Sequence, residues 1–328
     1  MSTGTSIPYH LRPNKAVERG LFIQSLRKIN KYLNISDYRY IGFGGPFLED
    51  FKALHHELKI SDMVCIEVNE NVRRRQQFNK PLSCIDFLDR ACSAKDFINE
   101  HDFDKKSIVW LDFVSFKDLS HQLSDVSRLV SNLCHGDIFK VTLNANSANL
   151  GNIDDEIKQH EYRLGKFKEL ITSEYEPHGL TEESMYSKAF PSTLLKSLSR
   201  AVSKGMVSSS QLEVVPISAF VYEDGQKMIT ATGIVLEKSK IEDFLEHTHI
   251  RVWPYYSSGW EQPKNITLPA LSARERLQVE QMLPDGTYEE IRDCLGFYIG
   301  SNERSAKEQL ENFMSYYRSF PWFGKVAL

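Results

Sequence analysis

The sequence predicts an α/β protein with a doubly wound, seven-stranded sheet that ends in an antiparallel hairpin. Five short apolar runs of strand length alternate with amphipathic stretches, which is typical of repeated strand-helix units. The runs are continuously apolar rather than alternating, and this indicates parallel strands covered on both faces. Two later β-rich runs are separated by five residues that include Asp224 and Gly225, a strong hairpin signal.

A helix is predicted before the first strand, because apolar residues recur at three- and four-residue spacing between positions 14 and 33. Asn14 is the predicted N-cap of this helix. The five parallel strands are predicted at Tyr38 to Phe43, Asp62 to Val68, Leu82 to Phe87, Ser107 to Phe113 and Ile138 to Leu143.

The chain divides into a sheet domain and a C-terminal helical region. Residues 1–250 form the sheet domain, with an N-terminal segment and helix over 1–36 and a helical insertion over 147–211. Insertions at the end of a sheet often carry binding residues, while a role in packing alone is the alternative. Residues 251–328 are predicted to form the helical region.

Composition excludes several functional classes. The net charge of -4 gives no overall attraction to phosphate backbones, so nucleic acid is not favoured as a partner. The five cysteines lack the spacing of a zinc site. No apolar run has the length of a signal peptide or a membrane span, and we therefore expect a cytoplasmic protein with no membrane partner.

Three glycines follow the first predicted strand. Gly42, Gly44 and Gly45, with Pro46 after them, form a turn into the next helix. Glycine permits positive φ and leaves no Cβ in the way of a ligand. In an open α/β sheet, ligands bind beyond the carboxyl ends of the strands, so the sequence predicts a binding crevice at this turn.

An acidic residue at the end of the second strand indicates which ligand binds there. Glu67 is placed to accept hydrogen bonds from two ribose hydroxyls, and Glu70 is the competing candidate. The third glycine of a dinucleotide fingerprint is replaced by Phe47, which counts against NAD and FAD. S-adenosylmethionine has no pyrophosphate and fits a looser glycine turn.

The sequence resembles class I, Rossmann-like S-adenosylmethionine-dependent methyltransferases, and more specifically the bacterial family described as "putative O-methyltransferase". The specific resemblance lies in "IPYHLRPNKAVERGLF", "YIGFGGPFLEDF", "LSCID" and "TLNANSANLG". It implies that the glycine turn lies under the methionine part of the cofactor and that Glu67 binds the ribose. It also implies Asp86 near the adenine amino group, with Asp89 as an alternative and a helix cap as the structural reading of either residue.

Candidates for catalysis follow the fourth and fifth strands. Asp112 ends the fourth strand, where methyltransferases commonly keep a residue that touches cofactor and acceptor. Asn144 and Asn146 follow the fifth strand. Two amides and one carboxylate make a weak Mg²⁺ site, so a metal ion is not favoured. Structural hydrogen bonds within an asparagine-rich turn are the alternative.

A fourth candidate comes from the N-terminal segment. His10 lies in "YHLRPNK", which precedes the first helix and extends to Lys15. Segments in this position often fold across the cofactor in methyltransferases, so His10 could meet the acceptor. A solvated tail is the alternative.

The predicted activity is transfer of a methyl group to a hydroxyl oxygen of an unidentified acceptor. The sequence lacks the Asn-Pro-Pro-Tyr and Asp-Pro-Pro-Tyr motifs of amino-group methyltransferases and the Pro-Cys dipeptide of 5-methylcytosine enzymes. A catalytically silent sensor or scaffold with the same fold is the alternative. The sequence leaves homo-oligomer formation open.

Overall fold

The computed structural model describes residues 12–321 of the 328-residue chain. An eight-stranded sheet runs through the molecule in the order β3-β2-β1-β4-β5-β7-β6-β8. Its strands are β1 Arg39–Gly42, β2 Asp62–Cys65, β3 Ile85–Phe87, β4 Ser107–Asp112, β5 Ile138–Asn144, β6 Leu212–Glu223, β7 Lys227–Glu237 and β8 Lys264–Ile266.

Helices connect the strands and complete both sides of the sheet. They are α1 Pro13–Ile29, α2 Glu49–Leu58, α3 Glu70–Phe78, α4 Ala94–Glu100, α5 Leu119–Asn132, α6 Gln159–Leu170, α7 Phe190–Met206, α8 Ile241–Thr248, α9 Ala273–Glu280, α10 Tyr288–Leu295 and α11 Glu303–Tyr316. None of the described helices has the length and apolarity needed to cross a membrane.

The strand order confirms the predicted fold. The first five strands are parallel, and β7 inserts antiparallel between β5 and β6. The sheet does not end at this hairpin, because β8 adds an eighth strand parallel to β6. With only three residues, β8 is too short to give a periodic sequence signal.

The two faces of the sheet bury separate apolar clusters. One cluster packs α1, α2 and α8 against the sheet, and the other contains residues of α4, α5, α6 and α7. A third, smaller cluster joins α9, α10 and α11. Apolar residues of the parallel strands contribute to both sheet clusters, which explains why these strands read as continuously apolar.

The start of α1 is capped from a distant part of the chain. The predicted cap at Asn14 is wrong, because the helix begins at Pro13 and Asn14 already lies inside it. The carboxylate of Asp224, in the β6-β7 turn, instead accepts hydrogen bonds from the backbone N–H of Asn14 at 3.3 Å and of Lys15 at 2.8 Å. It therefore satisfies amides that a local cap would otherwise bind.

Candidate active site

Three predicted site residues lie at one edge of the sheet. Gly42 is level with Cys65 of β2 and with Trp110 of β4 in the strand register. Gly44, Glu67 and Asp112 are each two residues beyond this row. Because parallel strands end at a common edge, the structure brings these three to the carboxyl ends of the adjacent strands β1, β2 and β4.

Two of the three glycines, Gly42 and Gly44, are required by local packing. Gly44 has a φ of +66°, and a Cβ there would lie 2.7 Å from side-chain atoms of both Leu48 and Phe51. A Cβ on Gly42 would lie 2.6 Å from the hydroxyl oxygen of Tyr40. These two positions therefore need glycine because neighbouring side chains fill the space, whether or not a ligand approaches the backbone.

The backbone of this turn is held from several directions. Gln76 of α3 donates to the carbonyl of Phe43 at 2.8 Å and to that of Gly45 at 3.1 Å. Asn79 donates to the carbonyl of the buried Pro46 at 2.9 Å. The turn is thus preformed, and with these carbonyls engaged it offers its N–H groups to a ligand more readily than its carbonyls.

Glu67 follows β2 and is half-buried. Its Oε1 accepts a hydrogen bond from the backbone N–H of Asn69 at 2.8 Å, which orients the carboxylate. Burial raises the pKa of Glu67, although the N–H groups of Asn69 and Val68 act in the opposite direction. A half-buried carboxylate that is held in one orientation can accept strong hydrogen bonds from the hydroxyl groups of a ligand.

The register separates the two candidates for an adenine contact. Asp86 lies inside β3, is exposed and pairs with Val64 of β2. Phe87 is level with Cys65, so Asp89 is two residues beyond the row that also places Glu67. Asp89 therefore follows β3 by the same number of residues as Glu67 follows β2, whereas Asp86 lies within β3.

Asp112 ends β4 and forms an ion pair with α1. Its Oδ2 is 3.1 Å from Nζ of Lys15, and the side chains of Lys15 and Asp112 expose 7% and 17% of their surface. Its Oδ1 is enclosed and accepts no hydrogen bond within residues 12–321. A buried carboxylate oxygen without a donor is costly, so a donor group on a ligand would stabilise it.

Asn144, the last residue of β5, and Asn146, just beyond it, use their side chains within the protein. Asn144 donates to the carbonyl of Val114 at 3.3 Å and accepts from the N–H of Asn146 at 3.1 Å. Asn146 accepts from the N–H of Ala148 at 3.0 Å and caps a short 3₁₀ helix. The bond from Asn144 to Val114 ties the end of β5 to the segment just beyond Asp112, and the other two bonds shape the loop after β5.

The remaining expectations concern His10 and a metal ion. His10 lies outside the described residues. Within residues 12–321, no group of three or more His, Cys, Asp or Glu side chains is arranged to hold a metal ion.

A cavity of about 590 Å³ lies elsewhere, against α7 and Trp260. Its lining includes Arg200 and Lys204 but no residue of the segments that follow β1, β2 and β4. This cavity is therefore separate from the sheet edge that brings Gly44, Glu67 and Asp112 together.

The contact between Lys15 and Asp112 is absent from the sequence-based prediction. The structure has Lys15 in the first turn of α1, buried against the sheet. The ion pair joins residues 97 apart in the chain. Local sequence patterns cannot show a contact over such a separation.

The spacing of charged residues in α1 was a usable signal of this burial. Lys15, Glu18, Arg19 and Phe22 recur at three- and four-residue spacing, so they share one face of the helix. All four are buried, and Arg19 forms an ion pair with Asp50 of α2. Charged residues in phase with a buried aromatic residue therefore indicate a buried ionic layer along this face.

Comparisons with known proteins give one family match. Residues 7–328 match the family described as "putative O-methyltransferase". No curated protein matches the sequence. Among solved structures, the N-methyltransferase NodS from Bradyrhizobium japonicum WM9 is similar, with 13% identity, coverage of 67% of this chain and 97% of that chain, and a TM-score of 0.38.

Two further solved structures are similar at the same low level. The O-methyltransferase from Bacillus cereus in complex with SAH has 11% identity, with coverage of 71% of this chain and 84% of that chain and a TM-score of 0.38. Trm1 from Pyrococcus horikoshii with S-adenosyl-L-methionine has 12% identity, with coverage of 91% and 76% and a TM-score of 0.43.

The family match extends over nearly the whole chain, and the strand order, with β7 antiparallel between β5 and β6, is the one expected of class I enzymes. The chain therefore belongs to the "putative O-methyltransferase" family, and its sheet has the strand order of the class I methyltransferase fold.

Proposed function

We propose that this protein transfers a methyl group from S-adenosylmethionine to a hydroxyl oxygen. The observation that carries the proposal is the convergence of Gly44, Glu67 and Asp112 two residues beyond one row of paired residues. This arrangement joins a preformed turn, an oriented carboxylate and a second carboxylate with an unbonded oxygen at the edge where α/β sheets bind ligands.

Each residue has a distinct role in the proposal. The N–H groups of the glycine turn face the carboxylate of the methionine part, and Glu67 accepts hydrogen bonds from the ribose hydroxyls. Asp89 lies toward the adenine. S-adenosylmethionine supplies an electrophilic methyl carbon when bound. Asp112 then accepts, through Oδ1, a hydrogen bond from a donor group on the ligand, and so orients the reacting groups beside the methyl carbon.

An oxygen acceptor is supported by the description of the family and by the motifs that the sequence lacks. Asn144 ties the end of β5 to the segment beyond Asp112, and Asn146 forms hydrogen bonds within the loop that follows β5. In this proposal the two asparagines have a structural role on the acceptor side of the crevice, because their side chains already form hydrogen bonds with backbone groups.

We expect Glu67→Ala to weaken binding of S-adenosylmethionine by about 1 to 3 kcal/mol, because a charged hydrogen-bond acceptor is lost. Isothermal titration calorimetry measures the change. Since burial raises the pKa of Glu67, the affinity of the wild-type protein should also fall with decreasing pH, as protonation removes the charged acceptor.

Glu70→Ala is the matched control for this measurement. Glu70 begins α3, is exposed and pairs with Arg73 and Arg74, so its removal should leave the affinity unchanged. A loss of affinity in the Glu70 variant with none in a folded Glu67 variant would contradict the assignment. Failure of the wild-type protein to bind the cofactor would instead favour a silent scaffold.

A further inference from the structure

The ion pair between Lys15 and Asp112 is built into the junction of α1 and the sheet. Lys15 lies in the first turn of α1, and its Nζ is 3.1 Å from Oδ2 of Asp112 at the end of β4. Only 7% of the Lys15 side chain is exposed. A pair this enclosed is less screened by salt and water than a surface pair.

Contacts on the backbone fix the position of Lys15. Its N–H donates to the carboxylate of Asp224 at 2.8 Å, and the side chain of Asn14 donates to the same carboxylate at 3.0 Å. The N–H of Leu268 donates to Oδ1 of Asn14 at 2.9 Å. The hairpin turn and the segment after β8 therefore hold the first turn of α1 where Lys15 reaches Asp112.

The two carboxylate oxygens of Asp112 differ in their contacts. Oδ2 is committed to Lys15, whereas Oδ1 has no hydrogen-bond donor within the described residues. Lys15 therefore partly offsets the negative charge that Asp112 presents to a bound ligand. Oδ1 stays available to accept a hydrogen bond from that ligand.

We propose that Lys15 is a positioning residue that sets the relative affinity of the site for cofactor and product through Asp112. The inference rests on the proposed function, because it needs Asp112 beside the cofactor. S-adenosylmethionine carries a sulfonium charge that S-adenosylhomocysteine lacks. If the charge of Asp112 were not offset, its carboxylate would favour S-adenosylmethionine over S-adenosylhomocysteine. It would also stabilise bound S-adenosylmethionine more than the transition state, in which the sulfonium charge is disappearing.

Calorimetry with both ligands tests this role without any acceptor. The measured quantity is the dissociation constant of S-adenosylhomocysteine divided by that of S-adenosylmethionine. In Lys15→Met the ratio should rise at least about threefold, because the carboxylate is no longer offset. In Asp112→Asn the ratio should fall, since this carboxylate no longer offsets the cation of Lys15, and Lys15→Arg should stay close to the wild type.

Lys105→Met is the matched control for the change in net charge. Lys105 lies 2.8 Å from Asp62, which begins β2 at the opposite end of the strands, so its removal should leave the ratio unchanged. An unchanged ratio in folded Lys15→Met and Asp112→Asn variants would overturn the inference while the proposed function stands. Wild-type protein that binds neither ligand would overturn both.

Discussion

Replacing Glu18 by leucine is expected to lower the free energy of unfolding by about 3 to 5 kcal/mol, because it leaves a buried ammonium without its partner. Glu18 on α1 and Lys140 on β5 form an ion pair at 2.8 Å, and the two side chains expose 1% and 0% of their surface. Urea denaturation, followed by circular dichroism, measures the change.

The surroundings of Lys140 explain the size of this effect. Its Nζ lies 3.5 Å from the ring centroid of Trp110 and 4.3 Å from that of Phe22. Thr230 donates to Glu18 at 2.9 Å and completes the layer. Burial lowers the pKa of Lys140 even with Glu18 present. In the Glu18 variant the deficit in stability should therefore shrink as pH rises, because a neutral lysine is less costly to bury.

Two variants separate the ion pair from other effects. Glu18→Leu combined with Lys140→Met should recover most of the lost stability, since apolar side chains often replace a buried pair without loss. Glu57→Leu is the control, because Glu57 pairs with Arg27 of α1 at the surface, and its effect should stay below about 1 kcal/mol. A double variant as unstable as Glu18→Leu alone would contradict this account.

Gly44→Ala is expected to destabilise the protein by about 2 to 5 kcal/mol, from a left-handed backbone and an overpacked core together. The φ of Gly44 is +66°, and a Cβ would lie 2.7 Å from atoms of Leu48 and Phe51. Both neighbours are fully buried, so neither can move without disturbing α2. Thermal and urea denaturation measure the loss.

Two other glycines allow the backbone cost of a positive φ to be measured separately from the steric cost of an added Cβ. Gly225 has a φ of +98° with nothing within 4 Å of its Cβ position, so Gly225→Ala carries the backbone cost alone. Gly42 has a Cβ position 2.6 Å from the hydroxyl of Tyr40 and no positive φ, so Gly42→Ala carries the steric cost. If Gly44→Ala lowered the free energy of unfolding no more than Gly225→Ala does, Leu48 and Phe51 would have moved at little cost, and the predicted steric cost would be contradicted.

The order of elements was predictable because it depends on local patterns. Continuous apolar runs indicated the five parallel strands, and Asp224 with Gly225 indicated the hairpin, as the structure confirms. Boundaries were less accurate, since β2 ends at Cys65 rather than Val68 and β3 begins at Ile85 rather than Leu82. Apolar residues outside the hydrogen-bonded ladder extend the sequence pattern beyond the strand.

The polar contacts of α1 could not be predicted in the same way. Asp224 caps this helix across 209 residues, and Glu18 meets Lys140 across 122. Spacing along the sequence has no information about such partners. Lys140, a lysine inside an apolar strand, was still a visible sign, because a buried lysine almost always has a partner.

For the candidate site, the sequence predicted which residues follow the ends of the strands. Glu67 and Asp112 follow from strand positions, and the register brings both to the edge that contains Gly44. The pairing of β2 with β3 shows that Asp86 lies within β3 and Asp89 beyond it, and which of them contacts the adenine stays a prediction. The packing around the glycine turn needed the positions of the side chains that surround it, which only the folded chain defines.

The most direct test of the central claim is a crystal structure of the protein with S-adenosylhomocysteine. We expect the nucleoside at the carboxyl ends of β1, β2 and β4, with both ribose hydroxyls within hydrogen-bond distance of Glu67 and the amino acid part beside the glycine turn. A ligand bound in another cavity, or bound at this edge with Glu67 turned away from the ribose, would contradict it.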